Sequence, residues 1–184
     1  MTRQQIKRSQ RSQRGFTLTE MLVAALVLVV GIVGVAQLVP VAIRLNSENQ
    51  KDSTAVVIAQ RELDAMFYQP LTGTLLSDPL GVLCPTTSTC DLGDSTQPNV
   101  LIGSPVVMYG VHPLIDFSQA QVANYGFFYS DPNDPLSAKY DIRWAVITFA
   151  NGGTATGKRF IIGVRQQGGG SRFLPITLDT MVEK

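Results

Sequence analysis

Residues able to do chemistry are scarce in this chain. It holds one histidine, His112, and two cysteines, Cys84 and Cys90. A lone histidine cannot build a multi-histidine metal centre or relay. No serine sits in a G-x-S-x-G nucleophile turn, although composition alone leaves a Ser-His-Asp triad open. Asp131, Asn133 and Asp134 offer oxygens to calcium, but their order departs from D-x-[DN]-x-[DN]-G and the prolines among them indicate a turn. Gly152 to Lys158 fits the first seven positions of a phosphate-binding G-x-x-x-x-G-K loop. Arg159 then stands where a magnesium-holding Ser or Thr belongs, and the stretch joins two candidate strands, so a hairpin loop is the better reading. The spacing C-P-T-T-S-T-C is neither a redox nor a zinc C-x-x-C. A disulfide there closes a small loop worth about 2 kcal/mol of chain entropy, with a pair of free thiols as the alternative.

The most unusual chemical group is a carboxylate. Glu20 stands at the head of Met21–Ile43, a run without any charge. An acidic residue at the centre of a membrane span costs about 2.5–3.5 kcal/mol on insertion scales. A plain anchor or export signal gives no reason to accept that cost.

The elements that must position Glu20 lie on both sides of it. Residues 1–15 carry Arg3, Lys7, Arg8, Arg11 and Arg14 with no acid, and are too polar to fold alone. The remainder has ten basic and fourteen acidic residues, a formal −4, so no nucleic-acid-binding stripe is expected. The basic cluster predicts a cytoplasmic N-terminus by the positive-inside rule. Residues 21–43 are long enough to cross a bilayer, although Gly31, Gly34 and Pro40 interrupt them. Gly34-Val35-Ala36 has the small-x-small form of a signal-peptidase site. Glu20 and the apolar residues beyond Ala36 argue against simple secretion.

The helical pattern continues from Arg44, with Val56, Ala59, Leu63 and Met66 on one face. Arg44, Glu48, Lys51, Asp52, Arg61, Glu62 and Asp64 are expected on the others. Gln69-Pro70 is the expected stop, so residues 16–69 read as one long helix, apolar in its first half and amphipathic in its second. Residues 70–184 form a head. Leu71–Pro98 is rich in turn residues and reads as a surface loop. Val100–Val111 reads as a strand pair or one bent strand, broken at Gly103-Ser104-Pro105, and His112 as a loop or strand-end residue. Tyr125–Tyr129 reads as a short strand. Tyr140, Ile142, Trp144 and Val146 alternate with Asp141, Arg143 and Ala145, which predicts a sheet with one buried face. Asn151–Gly157 is then a turn and Arg159–Arg165 a partner strand. Gly168-Gly169-Gly170 reads as a flexible link, and Arg172–Leu178 as a last strand whose Pro175 suits an edge.

Gly15-Phe16-Thr17-Leu18-Thr19-Glu20, with its basic leader and apolar helix, resembles the processing site of type IV pilins and type II secretion pseudopilins. The resemblance covers roughly residues 8–45. It implies that a prepilin peptidase cuts between Gly15 and Phe16 and methylates the new amine of Phe16. It also implies that the helix leaves the bilayer to pack in a fibre core, where Glu20 pairs with the Phe16 amine of an adjacent subunit. Gly31-Ile32-Val33-Gly34-Val35-Ala36 further resembles the V-G-L-L-G-L-A stretch of PilV-type minor pilins and related minor pseudopilins. Many major pilins carry a proline at the position of Gln37, whereas this chain has Pro40, and they often place their disulfide near the C-terminus. Both departures favour a minor subunit.

The expected fold is α+β and pilin-like, with the long N-terminal helix packed against a C-terminal antiparallel sheet. The expected function is structural: a minor pilin or pseudopilin that primes or caps a type IV pilus or a secretion pseudopilus, with no enzymatic activity, cofactor or metal. Its partners would be the prepilin peptidase, other pilin or pseudopilin subunits, the inner-membrane assembly platform and, before assembly, the membrane. The head would lie in the periplasm and later on the fibre. The alternatives are a membrane-anchored adhesin or binding domain that never enters a fibre, and an exported hydrolase, which the missing nucleophile turn disfavours.

Overall fold

The uncharged run and the amphipathic stretch lie in one helix, α1 (Leu18–Phe67), which continues through Pro40. The computed structural model describes residues 15–78, 83–85, 89–130, 138–167 and 175–183. Gly15, Phe16 and Thr17 are not helical, so the helix starts two residues later than expected and ends two earlier, before a turn at Tyr68. The chain divides into two compact units, Met1–Asn46 and Ser47–Lys184, and α1 contributes to both.

In the first unit, every helical side chain from Leu18 to Asn46 is exposed. Isolated in water this surface would be unfavourable by roughly 25 cal/mol per Å² of apolar area. The helix is long and apolar enough to cross a membrane.

The second unit is α+β. Its strands are β1 (Leu101–Gly103), β2 (Val106–Tyr109), β3 (His112–Ile115), β4 (Gly126–Ser130), β5 (Lys139–Asn151), β6 (Thr154–Gln166) and β7 (Ile176–Glu183). β5 is central in an antiparallel five-stranded sheet. β6 and then β7 follow on one side, while β1 and β4 share the other edge. Gly152 and Gly153, at φ 59° and 83°, make the whole turn between β5 and β6. Paired positive φ values are the demand of a two-residue hairpin turn, which glycine meets without strain. The expected turn of Asn151–Gly157 is therefore too long, because Thr154–Gly157 is already strand. The final strand begins after Pro175 and runs past Leu178 to Glu183 on the sheet edge. Gly168-Gly169-Gly170 and Asp131, Asn133 and Asp134 lie outside the described residues.

One face of the sheet packs on α1. Tyr140, Ile142, Trp144 and Val146 of β5 join Phe160, Ile162 and Val164 of β6 in a core with Ala55, Ile58, Ala59 and Met66 of the helix. Ala59 and Met66 are where the periodicity put them. Val56 and Leu63 are only half-buried, and the buried face is turned so that Glu62 lies inside. The expectation that Glu62 occupies a solvent face is thus corrected.

The single-buried-face expectation is also corrected. Asp141, Arg143 and Ala145 point to the opposite side of β5, yet all three are buried. The β2–β3 hairpin and the segment after it cover them through Ile115 and Phe117. Arg143 places Nε and an NH2 nitrogen on the Asp141 carboxylate at 3.0 and 2.8 Å and a third nitrogen on the Gln119 carbonyl at 2.7 Å. Phe117 lies 5.0 Å from the Arg143 guanidinium and 4.8 Å from that of Arg165. A buried charge pair persists only where such extra partners complete it.

Leu71–Pro98 is more than a surface loop. Leu76, Cys84, Cys90 and Leu92 belong to the core. Leu75 and Asp91 form a bridge, the Leu76 amide donates to the Cys90 carbonyl at 2.8 Å, and the Leu92 amide donates to Thr74 at 2.7 Å. The segment thereby covers the end of the helix-facing sheet surface, where Trp144 Nε1 donates to the Asp91 carbonyl at 2.8 Å.

Candidate functional site

Gly15 and Phe16 precede α1, and in its first turn Glu20 is joined to Thr17. Thr17 is the N-cap: its hydroxyl accepts the Glu20 amide at 3.3 Å, and the Glu20 carboxylate accepts the Thr17 amide and hydroxyl, both at 3.1 Å. This is a capping box, T-x-x-E, in which two backbone donors without helical partners satisfy each other's residues. The carboxylate also lies at the positive end of the helix dipole. The spacing that signals it, [ST]-x-x-[DE] ahead of an apolar run, stands in the sequence.

The consequence is a sharp boundary. Helical geometry begins at Leu18, and the Gly15–Phe16 peptide lies outside it, with Phe16 83 % exposed. A peptide bond outside the helix, its neighbours unburied, can enter a protease in extended form. The Glu20 carboxylate stands four residues beyond Phe16, on the first turn of the helix.

The remaining candidates resolve into structural parts. A disulfide joins Cys84 and Cys90, with Cα atoms 6.1 Å apart, inside the core of the head. His112 opens β3 and is exposed. Lys158, in the loop that imitates a phosphate site, is buried on β6 rather than poised at a helix. Its Nζ donates to the carbonyls of Gly73, Leu92 and Gly93 at 2.6, 2.9 and 3.1 Å. Burial pulls its pKa down, partly offset by Asp94. All three ammonium hydrogens have backbone partners, so no phosphate has a claim on them. Among the described residues, no group of three His, Cys, Asp or Glu side chains is placed to hold a metal.

Glu62 is the other residue that composition does not reveal. Its side chain is wholly buried; Oε1 accepts Nε and an NH2 nitrogen of Arg61 at 3.2 and 2.7 Å, and Oε2 has no hydrogen-bond partner. Arg61 in turn lies 4.7 Å over the ring of Tyr129 on β4.

Residues 10–36 match the prokaryotic N-terminal methylation motif, the signature of type IV pilins and pseudopilins. The matched stretch takes in the end of the basic segment, the capped first turn and the apolar helix as far as Ala36. No curated protein and no solved structure matches the chain. The chain therefore carries a type IV pilin-like N-terminus joined to an α+β head.

Proposed function

We propose that this protein is a minor pilin or pseudopilin, a structural subunit that primes or caps a type IV pilus or a secretion pseudopilus. The observation that carries the reading is the methylation motif at residues 10–36, which includes an exposed Gly15–Phe16 bond ahead of the uncharged run 21–43. A prepilin peptidase cuts that bond and methylates the amine of Phe16. Before assembly the helix anchors the chain in the inner membrane, with residues 1–15 cytoplasmic and the head, 70–184, in the periplasm. The assembly platform then passes it into a fibre of pilin or pseudopilin subunits. There Glu20 pairs with the Phe16 amine of a neighbour, an interaction whose loss in a low-dielectric core costs several kcal/mol. The role is structural and not enzymatic. Pro40, in place of a proline at position 37, and a disulfide soon after the helix support a minor over a major subunit.

The test is the N-terminal mass of the protein recovered from its own cells. A chain beginning at Phe16 and heavier by one methyl group is expected. A chain beginning at Met1 would leave a membrane-anchored binding domain as the better account. Glu20→Ala separates the same two readings, because a fibre subunit loses incorporation and an anchored binder does not.

A further inference from the structure

The head carries two open sheet edges that complement each other. Among the described residues β7 pairs only with β6, and β4 only with β5. On β5 the Trp144 amide donates to the Tyr125 carbonyl, while the Trp144 and Thr148 carbonyls accept the Ser104 and Asn99 amides. Even-numbered residues of β5 thus aim their backbone groups toward β1 and β4, and odd-numbered ones toward β6. That direction alternates along a strand and matches across each antiparallel pair. Followed through the registers, it leaves Thr177, Asp179, Met181 and Glu183 of β7 aiming outward. At the far edge it leaves Gly126, Phe128 and Ser130 of β4 aiming outward.

Guarded edges carry lysine, proline or an uncompensated charge. β4 has none of these. Of the two acids on β7, Glu183 stands at the very end and Asp179 accepts Arg159 Nε at 3.1 Å. Instead each edge presents one large apolar side chain at an outward position: Phe128, 54 % exposed, and Met181, 47 % exposed.

We propose that these edges are the two halves of one interface, in which β7 of one copy adds as a strand to β4 of the next. β7 runs parallel to β5 and β4 runs antiparallel to it, so β7 meets the β4 of an identically oriented copy in antiparallel fashion. The sheets continue into each other with their helix-covered faces on one side. The sheet-bound part of α1 then keeps one direction in both copies. Pairing β7 with β7 across a two-fold axis would reverse that direction. It would also set Asp179 against another Asp179 or against Glu183 in two of the three central registers. Subunits drawn from one membrane need the common direction, so the pairing rests on the fibre reading above.

One register of β7 on β4 sets Met181 against Phe128, Asp179 against Ser130 and Glu183 against Gly126. No charge then faces a like charge. Met181 and Phe128, both on the hairpin-covered face, shield each other as a sulfur–aromatic pair. On the helix-covered face Val182 meets Phe127 and Thr180 meets Tyr129. Because the joined edges differ, the contact is head-to-tail and leaves a free β7 and a free β4, so it repeats.

The experiment places Phe128→Cys and Met181→Cys together in the full chain, produced in its own cells in place of the native protein. Cys84 and Cys90 are tied to each other, so the two new thiols are the free ones. Both positions are exposed, and neither substitution touches the core. Directly opposed residues of an antiparallel pair have Cα atoms about 5.5 Å apart, within disulfide reach. Mild oxidation should give a reducible ladder of dimers, trimers and longer species, while each single variant stays monomeric. Moving the second thiol from Met181 to Asp179 or Glu183 should lower the yield several-fold. A double variant that stays monomeric overturns the proposal, and so do dimers from either single variant, which mean a two-fold contact. The N-terminal mass of the same protein judges the fibre reading separately. A methylated chain from Phe16 without the ladder overturns the pairing alone, and a ladder on a chain from Met1 upholds the pairing and overturns the fibre.

Discussion

Thr17 and Glu20 cap each other: the Glu20 amide donates to the Thr17 hydroxyl at 3.3 Å while the Thr17 amide donates to the Glu20 carboxylate at 3.1 Å. The carboxylate at the head of the apolar run thus has a local role in starting the helix as well as its proposed role between subunits. Both depend on its negative charge lying at a helix N-terminus, where it is favoured by the dipole. The two roles are separable, because the first needs Thr17 and the second does not.

Thr17→Val removes the hydroxyl and keeps the shape. Loss of an N-cap side chain costs about 1 kcal/mol. Amide exchange in detergent micelles is expected to quicken at Leu18, Thr19 and Glu20, with no change beyond the first two turns. Thr17→Ser should restore protection. Unchanged exchange in Thr17→Val would mean that the Glu20 carboxylate alone sustains the cap.

Gly163 sits where the β2–β3 hairpin crosses β6. A Cβ at this position would lie 2.7 Å from the Cβ of Ile115 and 2.9 Å from the ring of Phe117. Neither neighbour is the free end of a flexible chain, so Gly163→Ala forces the hairpin away from the sheet. Overpacking of this kind costs about 1–3 kcal/mol. A lower urea midpoint at unchanged slope is the expected result, with the Ile115 amide losing its contact to the Thr177 hydroxyl.

The same crossing explains what the sequence could and could not disclose. α1 and the core face of β5 are legible because Ala59, Met66, Tyr140, Ile142, Trp144 and Val146 obey the helical and strand periods. Periodicity reports a burying face, not whether the other face is covered. Asp141 and Arg143 therefore read as solvent residues until Ile115 and Phe117 are seen to close over them. That closure depends on a glycine in the middle of β6, whose absent side chain leaves no pattern. Glu62 escapes for a related reason: residue type sends it outward, and only the exact rotation of α1 on the sheet takes it in. At the candidate site the motif Gly15–Glu20 is legible as composition and spacing. The pairing of Thr17 with Glu20 is legible too, although the cost of a carboxylate in an apolar run draws attention away from its role as a cap.

Lys158→Met tests the cradle that fixes the segment after the helix. The ammonium satisfies three carbonyls drawn from two stretches of chain, Gly73 and Leu92-Gly93. An apolar side chain of similar length would leave those carbonyls buried without a donor, a loss of about 3 kcal/mol. Lys158→Arg should recover little, because a planar fork cannot reach three convergent acceptors as a compact ammonium does. Urea unfolding at neutral pH measures both. Nucleoside triphosphate with magnesium should leave every midpoint unchanged, as expected of a hairpin rather than a phosphate loop.

Glu62 gives the stability of the head a pH dependence of unusual sign for a carboxyl group. Its folded pKa is raised, mainly by burial, from 4.5 to about 7. Between those values the folded chain binds more protons than the unfolded chain. Stability is therefore fully present below the unfolded pKa, declines as pH rises through the interval, and levels off above the folded pKa. The whole change is about 3 kcal/mol, from 1.36 kcal/mol per unit. Denaturant midpoints taken at intervals from about pH 5 to about pH 8 should fall in wild type and stay level in Glu62→Gln. At the alkaline end the variant should be the more stable protein, since it carries no buried charge. A wild-type profile that rises over this range would mean that Arg61 satisfies the ionised carboxylate after all, and that the buried Oε2 costs nothing.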